Sequence, residues 1–158
     1  MPANTSPIFS LTPNVGTALI STTSAQVKSD GTCAGTGTDL MYCSFVSGAD
    51  GSFVQRIRFN TVASAAATKS VATVLRVYLS SVSATIGAAV GATTNANTFL
   101  LAEVSVPIIS ASNSVSATNF YEIPLNIAIP TSRYIHVSQH IAQNTNQAWN
   151  CKCFGGDY

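Results

Sequence analysis

Residues 133–158 read RYIHVSQHIAQNTNQAWNCKCFGGDY and contain two runs with the length and composition of β-strands, 133–141 and 148–154. Both runs are rich in β-branched or aromatic residues, and a polar Asn/Gln-rich segment separates them. Because side chains alternate along a strand, Trp149, Cys151 and Cys153 fall on one face. The stretch therefore predicts two strands that complete a sheet structure, followed by an extended, glycine-containing FGGDY end.

Outward from this stretch, the rest of the chain repeats the same pattern of short strands and turns. Six further runs have strand character: 15–23, 40–46, 53–62, 71–79, 99–109 and 120–129. Ser, Thr, Gly and Asn fill the connections, and no run has a convincing helical period. This pattern predicts an all-β fold: an antiparallel two-sheet sandwich, jelly-roll-like, with about eight strands.

The run 53–62, FVQRIRFNTV, illustrates how faces are assigned. A period of two places Phe53, Ile57 and Phe59 on the core face and the two arginines on the solvent face. Glu103 and Glu122, on later strands, are expected to pair with such arginines across a sheet face. The turn-forming segment SGADGS before this run predicts a β-hairpin with the run 40–46.

Composition limits the classes of function. Only 8% of residues are charged, with seven Lys and Arg against six Asp and Glu, while Ser and Thr together number 38. No basic field exists for nucleic acid, and no apolar run approaches the roughly 20 residues of a membrane span. The N-terminus has no signal-peptide pattern, which predicts a protein made and folded in a cytoplasm. A neutral, hydroxyl-rich surface favours packing against copies of itself or a larger assembly.

Residues 1–14 are predicted to form an extended N-terminal arm, and residues 15–158 a single β-sandwich domain. The three prolines of the arm disfavour helix and remove backbone donors. Such an arm either latches onto a neighbouring molecule or lies along its own domain. The segment 80–97 is a long uncharged loop and a further candidate contact surface.

Few residues have the type and spacing that catalysis or metal binding requires, which predicts no enzyme activity, no cofactor and no metal. His136 and His140 form HxxxH, but in a strand they stand about 13 Å apart, too far to share an ion. The carboxylates are scattered, and no nucleophile has a recognisable base beside it. Trp149 is interpreted as a core or interface anchor rather than a sugar platform.

The four cysteines leave two interpretations open. Cys151 and Cys153 form CxC, whose Cα separation of about 7 Å in a strand is at or beyond the limit for a mutual disulfide. Either the cysteines are small core hydrophobes, or a C-terminal cysteine forms a disulfide with one from the first third of the chain after release from a reducing cytoplasm. The candidate disulfide residues are Cys33, Cys43, Cys151 and Cys153.

Four segments carry a likeness to a known family: NTSPIFSLTPNVGTALISTTSAQVKSDGT, TFLLAEVSVP, NIAIPTSRYIHVSQH and CFGGDY. Together they resemble a family of small virion proteins of tailed bacteriophages, over nearly the whole chain. The cysteines depart from the family's pattern. The matching motifs carry no known chemistry, so the resemblance imports no catalytic residues.

The resemblance implies a structural virion protein, with a capsid decoration (cement) protein as the closest role. It implies a location on the capsid surface of a virion made in the host bacterial cytoplasm, with partners that are copies of itself, as a homotrimer, and the major capsid protein. A tail, collar or fibre component and a virion-displayed glycan-binding module are the alternatives. The candidate assembly contacts are Pro7, Ile8, Phe9, Leu11, Asp157 and Tyr158.

Overall fold

The structure is a computed structural model that describes residues 11–21, 41–63, 68–91, 93–110 and 119–158. Within these residues the chain forms β-strands and no helix, which confirms the predicted all-β class. In chain order the strands are β1 (Thr12–Ile20), β2 (Met41–Val46), β3 (Ser52–Ala63), β4 (Thr68–Ser70), β5 (Thr73–Ser80), β6 (Ala89–Val90), β7 (Thr98–Val106), β8 (Ile109–Ser110), β9 (Phe120–Ile129), β10 (Tyr134–Gln139) and β11 (Gln147–Asp157).

Nine of these strands build two antiparallel sheets that pack face to face. One sheet has four strands in the order β1-β11-β3-β9, and the other has five in the order β6-β2-β10-β5-β7; β4 and β8 pair separately. When the eight strands of six or more residues are numbered in chain order, the sheets read 1-8-3-6 and 2-7-4-5. This is the connectivity of a jelly roll. The predicted sandwich is confirmed.

The two strands of residues 133–158 occupy central positions in the two sheets. β10 lies between β2 and β5, and β11 lies between β1 and β3. The β1–β11 ladder runs without a register shift from the Thr12 and Asp157 pair to the Ile20 and Trp149 pair. The prediction that the FGGDY end follows the last strand as an extended tail is therefore wrong, because the residues through Asp157 belong to the central strand β11.

The core lies between the sheets and is made by alternate residues of nearly every long strand. Trp149, Cys151 and Cys153 point into it together, as the strand period predicts, and all three are fully buried. Other fully buried members are Ile20, Phe45, Val54, Ile57, Phe59, Leu75, Val77, Ile135 and Val137. Burying a side chain of this size contributes about 1.5–3 kcal/mol, so this layer dominates stability.

The predicted hairpin between the runs 40–46 and 53–62 is wrong. β2 belongs to the five-stranded sheet and β3 to the four-stranded sheet, so residues 47–51 carry the chain from one sheet to the other. Turn-forming residues specify that the chain reverses, but they do not specify which strand becomes its partner. β2 is almost wholly buried and lies between two strands, whereas β3 alternates between buried and accessible residues.

The N-terminal boundary also differs from its prediction. β1 begins at Thr12, so residues 12–14 belong to the sheet rather than to an arm; residues 1–10 lie outside the described residues. Pro13 is tolerated because β1 is an edge strand, where a missing backbone donor breaks no ladder on the open side. The side chain of Asn14 donates to the Val46 carbonyl at 3.1 Å and thereby links the two sheets.

Gly16 marks the closest approach of β1 to β2. A Cβ at this position would lie 1.8 Å from the carbonyl oxygen of Ser44, a backbone atom that cannot move without moving β2. We therefore expect Gly16→Ala to lower the free energy of unfolding by more than about 2 kcal/mol. The matched control, Thr17→Ala on the exposed side of the same strand, should change it by less than about 1 kcal/mol. Urea denaturation of both variants tests this, and equal stabilities would contradict the packing described.

Candidate functional site

Part of the outer face of the five-stranded sheet is covered by the protein's own chain. In the segment 80–97, predicted as a surface loop, the described residues after Ser80 fold back over this sheet and add β6 to its edge. Val82, Ala84 and Val90 pack in a cluster with Met41, Cys43 and Tyr78. Met41, Cys43 and Tyr78 have no exposed surface as a result. This part of the sheet is therefore closed to a partner.

The outer face of the four-stranded sheet is open to solvent. We call it the open face and define it by three rows of outward residues that pair across the strands: Val15, Phe154, Arg56 and Pro124; Thr17, Lys152, Arg58 and Glu122; and Leu19, Asn150, Asn60 and Phe120. Several of its apolar side chains are strongly exposed, among them Val15 at 54% and Phe120 at 57%. Exposed apolar groups gathered on one face are typical of a contact surface.

A β-bulge interrupts the open face at Gln55. Arg56 pairs with Phe154 of β11 and Val54 pairs with Gly155, so Gln55 is an extra residue in β3. The extra residue reverses the alternation, and Val54 is buried where the regular period places Phe53. The prediction that Phe53 belongs to the core face is therefore wrong. Bulges re-aim side chains in this way at many functional sites.

The bulge is accompanied by a shallow depression of about 330 Å³. Its lining residues are Val15, Phe53, Gln55, Arg56, Phe154, Gly155 and Gly156. Gly155 is needed here because a Cβ would lie 2.5 Å from the carbonyl oxygen of Phe53. The depression thus combines two aromatic rings, one amide and one guanidinium against bare backbone.

The two arginines of the open face are held over aromatic rings. The guanidinium carbon of Arg56 lies 4.9 Å from the ring centre of Phe154, and that of Arg58 lies 4.8 Å from the ring centre of Phe120. Such stacking contributes about 0.5–1 kcal/mol at an exposed site and restricts the side chain. The open face therefore presents guanidinium groups in fixed orientations.

Glu122 neutralises one of these arginines. Its Oε2 accepts hydrogen bonds from Arg58 Nε at 2.9 Å and Nη2 at 2.7 Å. Arg56 Nε is 3.5 Å from the same oxygen, within ion-pair range but without a hydrogen bond. In the other sheet, Arg76 Nε pairs with Glu103 Oε2 at 3.1 Å. The predicted pairing of both glutamates with arginines across a sheet face is confirmed.

Comparisons with protein-family models, with curated proteins and with solved structures find no match for this chain. Inferences about function therefore rest on the open face and on the sequence resemblance. Among the described residues, no three His, Cys, Asp or Glu side chains are grouped to hold a metal ion. No helix in the described part of the chain is long and apolar enough to cross a membrane.

The two histidines have different environments. His136 is fully buried on β10, where it pairs with Cys43 and Tyr78, and the ring of Tyr134 lies 6.1 Å away. Within the described part of the chain, neither ring nitrogen has a hydrogen-bond partner, and burial lowers the pKa of His136 to about 4. His140 follows the end of β10, half-buried, with Nδ1 3.5 Å from Arg76 Nη1. Each histidine thus meets a different set of neighbours.

Three of the four cysteines lie in the described residues, and all three are buried free thiols. Burial raises the pKa of Cys43 to about 11, and burial together with the neighbouring Cys43 raises that of Cys153 to about 12. The pKa of Cys151 is also raised, chiefly by burial. Protonated buried thiols are unreactive. Cys33, the remaining candidate for a disulfide, lies outside the described residues.

Of the candidate assembly contacts, three are described. Leu11 is 83% exposed beside the start of β1, and its N–H donates to the Asp157 carbonyl at 2.7 Å. The Asp157 carboxylate accepts from Asn14 Nδ2 at 2.9 Å and from the Ser52 hydroxyl, so it is engaged within the domain. Tyr158 is half-buried, and its N–H donates to the Gly51 carbonyl at 3.2 Å. Pro7, Ile8 and Phe9 lie outside the described residues.

Sequence reasoning missed the depression, because a period of two gives no indication of where an extra residue enters a strand. The signal was the adjacent apolar pair Phe53 and Val54, followed by Gln55, Arg56 and Ile57. A regular strand places only one member of an adjacent pair in the core. The second member, Phe53, is the ring that lines the depression.

Buried His136 makes stability dependent on pH. Its pKa is about 4 in the folded protein against 6.5 in the unfolded chain, so the unfolded chain binds the extra proton between these values. Stability from this residue is fully present above pH 6.5 and is lost as the pH falls toward 4, by about 3 kcal/mol in total. The variant His136→Phe should lose this part of the pH dependence, measured by urea denaturation from pH 7.5 to 4.5.

The matched control is Ser138→Ala, a fully buried polar position of the same strand without an ionisable group, which should keep the pH dependence of the wild-type protein. Carboxylates also titrate in this range, so the difference between each variant and the wild type is the quantity compared. A His136→Phe protein with an unchanged difference in stability between pH 7.5 and 4.5 would show that His136 is already protonated, or solvated, in the folded state.

Proposed function

We propose that the protein is a structural component of a tailed-bacteriophage virion that binds the outside of the capsid as a decoration, or cement, protein. The observation that carries this proposal is the open face. Two phenylalanines and two arginines, types enriched at protein interfaces, lie on it together with Val15, Leu19, one lysine and one glutamate. The other residues of the same rows are uncharged: Thr17, Asn60, Pro124 and Asn150. A sheet face of this composition is suited to protein contact.

The rest of the molecule supports an assembly role. The part of the five-stranded sheet around Met41, Cys43 and Tyr78 is covered by its own chain, whereas the open face exposes charged and apolar side chains and is the docking side we propose. Phe99 and Leu100 on β7 are also exposed. The depression contains no nucleophile with an adjacent base. The jelly roll is used by viral capsid domains, among other proteins; fold alone does not define function, and the resemblance of residues 4–32 and of the CFGGDY end supplies the virion context.

Attachment to a capsid is proposed to involve copies of this protein in groups of three together with the major capsid protein. A protein with 8% charged residues and a net charge of +1 has weak electrostatic repulsion between copies. Neighbouring copies can therefore pack closely around one point of a shell. Light scattering of the purified protein measures this association directly.

The proposal predicts the protein's abundance and its effect on the particle. Quantitative mass spectrometry of purified virions should find it in a fixed, high ratio to the major capsid protein. Particles produced without it should release their DNA at a lower temperature, because subunit junctions lose the contacts that bridge them. Adding the purified protein back should restore the release temperature.

Two results would contradict this role. A few copies per particle would indicate a tail, collar or fibre component instead. An unchanged DNA-release temperature in particles without the protein, at normal copy number in the wild type, would show that it does not stabilise the shell.

A further inference from the structure

We propose that the depression beside Arg56 receives a carboxylate side chain from the protein against which the open face packs. This inference rests on the proposed function, since it names the chemistry of the partner at that same face. The occupant is an Asp or Glu side chain of the partner protein, flanked by apolar residues. Charge, geometry and the surrounding apolar surface each support this assignment.

The charge balance of the open face favours a carboxylate from the partner. Its strands place three cations there, Arg56, Arg58 and Lys152, and a single acid, Glu122. Glu122 is bound in a two-pronged contact by Arg58. Arg56 Nε lies 3.5 Å from the same Glu122 oxygen, so two arginines share one acid and the face keeps an excess of positive charge that includes Lys152. A partner surface that supplies carboxylates meets this excess, and complementary charge also directs encounter.

The orientation of Arg56 also supports a carboxylate partner. Its guanidinium is stacked on Phe154, its Nη1 donates to Gln55 Oε1 at 3.4 Å, and its Nε is buried 3.5 Å from Glu122 Oε2, so a partner carboxylate meets the Nη groups. The side chain is 38% exposed, so a partner can reach it. A guanidinium restricted in this way loses little entropy when it binds a carboxylate through its planar fork.

The apolar surface around Arg56 favours a protein partner over a small acid. Phe53, Val15 and Phe154 line the depression itself, while Leu19 and Phe120 are exposed beyond it on the same sheet face. A sugar acid covers only the depression, whereas a protein surface also buries the outlying groups. Excluding water around an Arg–carboxylate pair strengthens it, as at interface hot spots.

The site chemistry is tested first on the isolated protein, without any assumption about the virion. N-acetyl-aspartate amide is titrated into ¹⁵N-labelled protein, and N-acetyl-asparagine amide serves as the neutral probe. The aspartate probe should shift the amide signals of Gly155 and Gly156 and the side-chain signal of Arg56, and the asparagine probe should not. Arg56→Gln should abolish the shifts. Arg133→Gln, a cation away from the open-face strands, should leave them intact.

Binding to particles that lack the protein tests the site in its proposed setting. Arg56→Gln should weaken binding by roughly ten- to a hundredfold, the range for a hydrogen bond to a charged group. Arg56→Lys, which keeps the charge without the fork, should recover part of the affinity, and Arg133→Gln should bind like the wild type. Melting temperatures of all variants within a few degrees of the wild type exclude misfolding as the cause.

The outcomes separate the two proposals. If the wild-type protein does not bind the particles, the proposed function fails, and the amide titration still decides the chemistry of the depression. If the wild type binds and Arg56→Gln binds equally well, the function stands and the carboxylate site is overturned. Saturable binding to acidic glycans that is lost in Arg56→Gln, with unchanged binding to particles, would replace the protein partner by a sugar.

Discussion

The pairing of β11 with β1 on one side and with β3 on the other is the interaction on which the rest of the structure depends. The β1–β11 ladder pairs Thr12 with Asp157, and the side chain of Asn14 donates to the Asp157 carboxylate, 143 positions away in the sequence. β1 has no other partner in its sheet. The same β11 strand sends Trp149, Cys151 and Cys153 into the core. Docking of β11 between β1 and β3 therefore completes the four-stranded sheet and the core together.

The difference between the two outer faces follows from how each sheet is covered. The five-stranded sheet buries Met41, Cys43 and Tyr78 in a cluster with Val82, Ala84 and Val90, and on the same sheet Arg76 is 3% exposed and His136 is fully buried. On the open face of the four-stranded sheet, Arg56 and Arg58 remain accessible and stack on aromatic rings. One sheet thus carries a cost in buried polar groups, and the other retains a surface for contact.

Strand periodicity predicts much of this fold and little of the site. The alternation in residues 148–154 identifies the correct inward face, because a half-buried strand must follow a period of two. Partner choice between β2 and β3 is not encoded locally, since it depends on which sheet buries each strand. The bulge at Gln55 likewise depends on the approach of Gly155 from β11, about a hundred residues later in the chain. The depression is a product of that long-range pairing.

The central position of the last two strands also sets an order of events during synthesis. The ribosome makes β10 and β11 after the strands with which they pair. β11 lies between β1 and β3, and β10 lies between β2 and β5. At about 5–20 residues per second, β1 waits roughly 6–25 seconds for synthesis to reach its partner β11. During that interval its backbone groups and apolar side chains have no native cover, and non-local pairing is slow to form once the partner arrives. The amount of folded protein in the cell therefore depends on how well the early strands are protected until the ribosome has made β10 and β11.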